Sequence, residues 1–259
     1  MRNRYAIARA NLEADKGVMS GMQGTPPVRG ILFDKDGTLI DFRATWVPAY
    51  CGVAEELAER LGGGAELAAT LLAGQGYDVA TGEFAPDSRL LWDSNEGIAA
   101  AWSAAPQIGG GVDVLEAVIR HFSDVGRYPP QAVGDLPALL DRLRARGLSL
   151  GLATMDDTAI AHAHTRYLGI ADRLDFVVGA DAGHGAKPGP GMALAFCRDR
   201  GLRPEEVIVV GDTPADLLMA RSAGCAAAIA VLTGAMPRDR LEPHADHVLA
   251  SVQDLEGLL

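Results

Sequence analysis

The stretch Val28-Arg29-Gly30-Ile31-Leu32-Phe33-Asp34-Lys35-Asp36-Gly37-Thr38-Leu39-Ile40-Asp41 decides how the rest of the chain is read. Gly30 to Phe33 is a short, mostly apolar run, the pattern of a buried strand. It ends abruptly in two carboxylates, followed by a glycine and a threonine. Asp34 and Asp36 stand two apart, so an extended backbone sends both side chains to the same side. Gly37 permits a tight turn directly after them. Two acids crowded at a strand end repel each other unless a cation or a substrate separates them. The arrangement suits a hard divalent ion, with one carboxylate left available for chemistry.

Around this stretch the composition is that of an ordinary globular protein: 259 residues, 48% hydrophobic and 22% charged. That length sits between one large domain and two modest ones. No apolar run approaches the roughly 18 residues of a membrane span, so no membrane partner is expected. Met1 to Thr25 carries Arg2, Arg4, Arg9 and Lys16 but no apolar h-region, which argues against a secretory signal. Residues 1–27 read as a poorly ordered extension, with Met19 and Met22 as alternative starts. Cys51, Cys197 and Cys225 are odd in number and lack metal-ligand spacing. Reduced thiols and a cytoplasmic location are expected. A net charge of −11 argues against a nucleic-acid partner. It also repels an anionic substrate unless a metal and a few local cations reverse the field in the site.

Downstream, Trp46, Tyr50, Val53, Leu57 and Leu61 stand three or four apart and predict a helix over 44–61, stopped by Gly62-Gly63-Gly64. Further helical pieces are predicted around 66–72, 89–101 and 115–122, with turn-rich sequence between them and a second break at Gly109-Gly110-Gly111. No strand is expected between Phe42 and Tyr128, and the three tryptophans there, Trp46, Trp92 and Trp102, are assigned to the core of a helical module. Neither glycine run is followed by Gly-Lys-Ser/Thr, so neither is a P-loop. From Gly134 onward strands and helices alternate. Strands are predicted at 148–153, 176–178, 207–210 and 227–232, and helices at 136–143, 158–168, 192–200 and 215–223. Such alternation implies a parallel sheet covered by helices on both faces, with the chemistry at the carboxyl ends of the strands.

The polar residues fall there. The run Leu148 to Ala153 leads straight into Thr154, whose hydroxyl can donate to a phosphoryl oxygen. Lys187 lies in Gly185-Ala186-Lys187-Pro188-Gly189-Pro190-Gly191, a loop stiffened by two prolines around one cation. Val207-Ile208-Val209-Val210-Gly211-Asp212 puts a carboxylate at another strand end, and Asp216 follows one helical turn later. His162 and His164 point apart on a helix, and His244 and His247 carry no ligand signature, so the histidines offer no rival metal site.

Asp34-Lys35-Asp36-Gly37-Thr38-Leu39, the apolar strand ending in Thr154, the Lys187-Pro188 loop, and Gly211-Asp212 with Asp216 resemble, in order, the four motifs of the haloacid dehalogenase-like hydrolase superfamily. The spacing is plausible, with 33 residues from Thr154 to Lys187 and 25 from Lys187 to Asp212. The sequence is most similar to the phosphoglycolate-phosphatase-like branch. That resemblance implies a Rossmann-like α/β core over 28–43 and 129–259, with an inserted all-helical cap over 44–128. It implies a Mg²⁺-dependent phosphatase acting on a small phosphorylated metabolite, as a monomer or homodimer. Asp34 would be the nucleophile and form an aspartyl-phosphate. Asp36 would be the general acid and base, and its backbone carbonyl would face the metal. Thr154 and Lys187 would balance phosphoryl charge, and Asp34, Asp36, Asp212 and Asp216 would form the metal set. Gly37, Thr38, Met155 and Asp156 are candidate substrate contacts. The insert carries twelve acids against Arg60, Arg89, Arg120 and Arg127, so as a mobile lid it would favour small esters. Arg43 and Arg89 are the candidates to meet a carboxylate on the leaving group.

The chain departs from the pattern in three places. Lys35 replaces the apolar residue more usual between the aspartates, Met155-Asp156 follows Thr154 where Asn or Gly is common, and Asp41-Phe42 replaces Asp-Ser. A dehalogenase is disfavoured because that branch does without the second aspartate. A phosphomutase on the same core and a non-catalytic binding protein are the remaining alternatives.

Overall fold

The computed structural model describes residues 26–85, 87–109 and 112–259. Most of the predicted N-terminal extension, Pro86, and Gly110 and Gly111 of the second glycine run lie outside the described residues.

The chain enters the fold through β1 (Gly30–Phe33), buried along its whole length. It leaves the sheet through α1 (Phe42–Arg60) and α2 (Ala65–Gly74), makes a ribbon of β2 (Tyr77–Asp78) and β3 (Glu83–Phe84), and continues through α3 (Asn95–Ser103) and α4 (Val114–Ser123). It returns through α5 (Leu136–Ala145) to β4 (Ser149–Ala153), α6 (Thr158–Tyr167) and β5 (Phe176–Val178). Then come α7 (Gly191–Arg200), β6 (Val207–Gly211), α8 (Pro214–Ala223), β7 (Ala227–Val231), the short α9 (Arg238–Leu241) and β8 (His247–Leu249). The six-stranded sheet has the order β5-β4-β1-β6-β7-β8, and every neighbouring pair is parallel.

Its central strands are apolar on both faces because helices cover both. On one face Ile31, Phe33, Leu150 and Ile208 pack with Leu136, Leu139 and Leu140 of α5. On the other, Leu32, Val207 and Val209 pack with Met192, Phe196 and Leu217 from α7 and α8. The segment between β1 and α5 has a cluster of its own around Trp46, Val53, Leu57, Trp102 and Phe122, which Ile160 of α6 joins from the core.

Local chemistry sets the element boundaries. Asp41 accepts from the Ala44 N–H at 2.9 Å, so α1 starts at Phe42, two residues earlier than the periodicity suggested. The single helix predicted over 89–101 is divided. Residues Arg89–Leu91 form one 3₁₀ turn, and α3 begins only after Ser94, whose hydroxyl accepts from Gly97 N. The β2–β3 ribbon was not expected. Tyr77 and Phe84 pair across it, too briefly to leave an alternating pattern. β8 was missed for a similar reason, being a three-residue, half-buried strand at the sheet edge. Trp46 and Trp102 are core residues as expected, but Trp92 is 48% exposed.

Along the sheet the chain steps from β1 outward to β4 and β5, then crosses back to β6 and runs outward to β8 on the other side. The reversal lies between β1 and β6. The crevice beyond the carboxyl ends at such a reversal is where open α/β sheets bind ligands.

Candidate active site

Four strand ends and one loop converge in that crevice. Asp34 directly follows β1 and keeps its pairing, its N–H donating to Val210 O at 2.8 Å. Thr154 follows β4 and likewise donates its N–H to Val178 O at 3.0 Å. Asp212 follows β6, and Thr213 and Asp216 close a capping box at the start of α8. The turn after β7 brings Thr233 and Gly234 alongside, with the Thr233 hydroxyl donating to Gly37 O at 2.6 Å. Gly37 has φ +79°, and a side chain there or at Gly234 would collide with the Asp212 carboxylate. Neither Gly37 nor Thr38 lines the cavity. They pack behind the acids, and the Thr38 hydroxyl is sealed without a partner.

The carboxylates of Asp34, Asp212 and Asp216 come within 4.8 Å of one another, all buried. Lys187 reaches into the group and donates to Asp34 at 2.5 Å and to Asp216 at 2.6 Å. The other Asp216 oxygen accepts from the Thr213 N–H at 3.1 Å and its hydroxyl at 2.6 Å. Asp216 is thereby committed to holding Lys187 and capping α8. Asp212 Oδ1 is buried with no hydrogen-bond partner, an arrangement that suits a cation ligand and is costly otherwise. Burial, offset by Lys187 and reinforced by Asp216 and Asp36, pushes the Asp34 carboxyl up to about 7. Burial with the neighbouring Asp34 and Asp216 holds Asp212 well above the carboxylate range. Burial opposes the charge on Lys187, but Asp216 and Asp34 outweigh it and raise the ammonium above its ordinary value. Three acids with one lysine are short of positive charge, and oxygen donors in that number fit Mg²⁺.

Asp36 stands apart from this group. Its carboxylate accepts from Lys35 Nζ at 2.8 Å and from Trp46 Nε1 at 2.5 Å. Lys35, with 0% exposure, also forms an ion pair with Asp156 at 2.6 Å and contacts His164 Nδ1 at 3.3 Å. Lysine only donates, so His164 is the acceptor and its proton sits on Nε2. Burial and the adjacent Lys35 depress His164 to about 3, which keeps it neutral. Two of the three departures from the motif pattern, Lys35 and Asp156, are therefore partners in one buried network.

A cavity of about 640 Å³ opens over the strand ends. Asp34, Asp36, Thr154, Met155, Asp156, Lys187, Asp212 and Asp216 line its floor. The insert contributes Trp46, Tyr50, Leu90, Trp92, Ile98 and Phe122 to its wall. Arg43 and Arg89 do not line it. Arg43 donates to Gly82 O at 2.6 Å and Glu83 at 3.0 Å, fastening α1 to the ribbon. Arg89 is paired with Asp93 beside it and lies over the Trp92 ring. Among the described residues lining the cavity, only Lys187 and Arg240 are cationic.

Sequence reasoning thus grouped Asp34, Asp36, Thr154, Lys187, Asp212 and Asp216 at one place, but passed over Trp46, His164 and Gly234 and undervalued Lys35. A lysine two residues beyond an apolar strand does carry a signal, since a buried ammonium requires an acid partner.

Comparison with known proteins agrees with the geometry. A family model described as haloacid dehalogenase-like hydrolase matches residues 28–224. The phosphoglycolate phosphatase of Shigella boydii serotype 4 is 29% identical over 206 residues, covering 76% of this chain and 79% of that protein. Its Escherichia coli K12 counterpart is 28% identical over the same span, covering 76% and 79%. Among solved structures, a HAD phosphatase from Thermococcus onnurineus superposes with a TM-score of 0.62 at 22% identity, covering 88% of this chain and 96% of that one. A β-phosphoglucomutase from Clostridium difficile gives a TM-score of 0.61 at 18% identity, covering 88% and 93%.

Proposed function

The chain belongs to the haloacid dehalogenase-like hydrolase family, and from that premise we propose that it is a Mg²⁺-dependent phosphatase of small phosphate monoesters. The observation that carries this reading is the buried Asp34–Asp212–Asp216 group with Lys187 inside it, at the carboxyl ends of β1 and β6.

Asp34 attacks phosphorus and forms an aspartyl-phosphate, and the P–O bond to the leaving alcohol breaks. Asp36, two residues on, protonates that alcohol and then takes a proton from the water that releases phosphate. Lys187 and the Thr154 hydroxyl face the phosphoryl oxygens and balance their charge. Asp34 and Asp212, with the backbone carbonyl of Asp36, would hold Mg²⁺, while Asp216 keeps Lys187 in place. The ion would supply the positive charge that keeps Asp34 ionised and draws the phosphate in.

The segment 44–128 acts as a cap, and its wall defines the leaving group. The relatives named phosphoglycolate phosphatase suggest a carboxylated alcohol. In this chain, however, Arg43 and Arg89 are engaged elsewhere, and the insert offers the cavity aromatic and aliphatic surface with two acids, Asp87 and Asp93, leaving Arg240 of the core as the one lining cation besides Lys187 among the described residues. About 640 Å³ falls within the range of roughly 300–1,000 Å³ that encloses drug-sized ligands. A neutral leaving group with substantial apolar surface fits it better than a two-carbon acid. The same lining disfavours the sugar phosphate that a mutase would require.

Phosphate release from p-nitrophenyl phosphate, with Mg²⁺ and after exhaustive chelation, tests the reaction. Phenyl phosphate against 2-phosphoglycolate tests the leaving group. Full activity without metal removes the Mg²⁺ reading, and preference for phosphoglycolate removes the apolar one.

A further inference from the structure

We propose that Lys35 is a positioning residue: together with Trp46 it fixes the orientation of the Asp36 carboxyl group, which in its protonated form gives the proton to the leaving oxygen, and Asp156 and His164 hold Lys35 in place for that task. The inference rests on the phosphatase reading, because it concerns how the general acid of that reaction is held.

The geometry around Lys35 is fully specified. Its ammonium is inaccessible to water and is surrounded by Asp36 Oδ1 and Oδ2 at 2.8 and 2.7 Å, Asp156 at 2.6 Å, His164 Nδ1 at 3.3 Å and the Trp46 ring at 4.9 Å. Of the groups around the ammonium, Asp36 and the neutral His164 accept hydrogen bonds, and the Asp156 carboxylate faces it as an ion pair. A buried charge of this kind is retained only when paired and hydrogen-bonded. Trp46 Nε1 approaches Asp36 Oδ1 at 2.5 Å from α1. Lys35 comes from the core and Trp46 from the insert, so both parts of the molecule hold the carboxylate. Asp36 nevertheless lines the cavity, and its side chain is 19% exposed at the point where a leaving oxygen would stand.

This arrangement has a purpose that burial alone does not explain. An apolar side chain would fill the position without two acids having to follow it into the interior. Asp156 and His164 come from separate elements, the loop after β4 and helix α6, and both converge on this one ammonium. Placing a general acid to within a fraction of an ångström is the kind of ordering that governs proton transfer, and a displacement near 1 Å can cost about 10²-fold in rate.

The experiment measures leaving-group release in a single turnover, which reports formation of the aspartyl-phosphate alone. Two Mg²⁺-loaded reactions are compared. In one, 2,4-dinitrophenyl phosphate loses an anion that leaves without a proton. In the other, an alkyl phosphate loses an alkoxide that must be protonated. Lys35→Met combined with Asp156→Asn removes the clamp without leaving a buried charge unpaired at Asp156. It should slow alcohol release on the order of 10²-fold while dinitrophenolate release falls less than about threefold. Asp156→Asn alone, which loosens the hold on Lys35 but keeps its ammonium on Asp36, should shift the ratio of the two rates in the same direction by less than the double variant. Lys35→Gln, which keeps one donor, should shift the ratio in the same direction by less, and it decides the matter if the double variant does not fold. Equal losses on both substrates, or a loss on neither, overturn the inference alone. Wild-type protein that releases neither leaving group overturns the phosphatase reading, and the inference with it.

Discussion

The crevice over the sheet and the outer face of the insert each hold a cluster of charged side chains, and the two are built to opposite ends. In the insert, Glu56 of α1 meets Arg60 at 2.6 Å, Arg120 at 2.5 Å and His121 at 2.8 Å. Hydrogen bonds from Arg120, with His121 and the charge of Arg60 adding to them, hold Glu56 down at about 2. In the crevice, burial and neighbouring acids push Asp34 up to about 7 against the pull of Lys187. One carboxylate has more donors than it needs, and three carboxylates share one lysine. The first cluster is complete and serves to join α1 to α4. The second is incomplete, and its deficit is what a cation and a phosphate would fill. Structural ion-pair networks perturb acids as well, so a shifted acid points to a functional site where it also lies in a cleft with its charge uncompensated.

The comparison is sharpened most by Asp34→Asn. An amide is neither a nucleophile nor a good magnesium ligand, so kcat on p-nitrophenyl phosphate should fall at least about 10³-fold, above 4 kcal/mol of barrier. Stability should respond oppositely. In metal-free protein Asp34 keeps its proton to about pH 7, whereas the unfolded chain releases it near 3.8. Stability therefore declines as pH rises from about 4 to about 7, and Asp34→Asn should flatten that decline in melting curves.

Lys187→Met comes next. It leaves Asp34 and Asp216 buried without their cation, a loss on the order of 3–5 kcal/mol by chemical denaturation without metal. Turnover should fall about 10²-fold or more, and Mg²⁺ should recover stability more than rate.

Glu56→Gln should leave kcat within about twofold and cost about 1–2 kcal/mol, read by thermal unfolding. The folded-state value lies below the unfolded 4.5, so this contribution is complete above about pH 4.5 and fades as pH falls towards 2. The gap between variant and wild-type melting temperatures should therefore shrink from pH 5 to pH 3. A kcat loss as large as that of Lys187→Met would break the distinction between the two clusters.

The smallest effect belongs to Trp92→Ala. This exposed side chain on the cavity wall contributes little to the fold, so melting should shift by less than about 0.5 kcal/mol. KM for phenyl phosphate should rise about fivefold while kcat holds, as expected where uniform binding to an apolar leaving group is lost.

Much of the core was legible because each signal was local. β1, β4 and β6 are mostly apolar runs that lead into polar residues, and α5 and α8 carry their own caps and periodicity. Asp34, Thr154, Lys187 and Asp212 could be placed together because parallel strands deliver their carboxyl ends to one edge. The insert was less legible. The division of the 89–101 helix depends on Ser94 and Asp93 taking backbone N–H groups, and Trp92 is turned outward by that division.

What the sequence determined by itself was the class of sheet, the order of its motifs and the residues able to carry phosphoryl chemistry, because strand period and motif order are properties of neighbours along the chain. Tertiary structure alone decided partnership. It tied Arg43 to Glu83, turned the free oxygen of Asp216 to Lys187, and joined Lys35 to Asp156 and His164 across more than a hundred residues. Whether a charge serves a ligand or a neighbour depends on which other charges the fold brings within about 4 Å of it, and spacing along the chain does not carry that information.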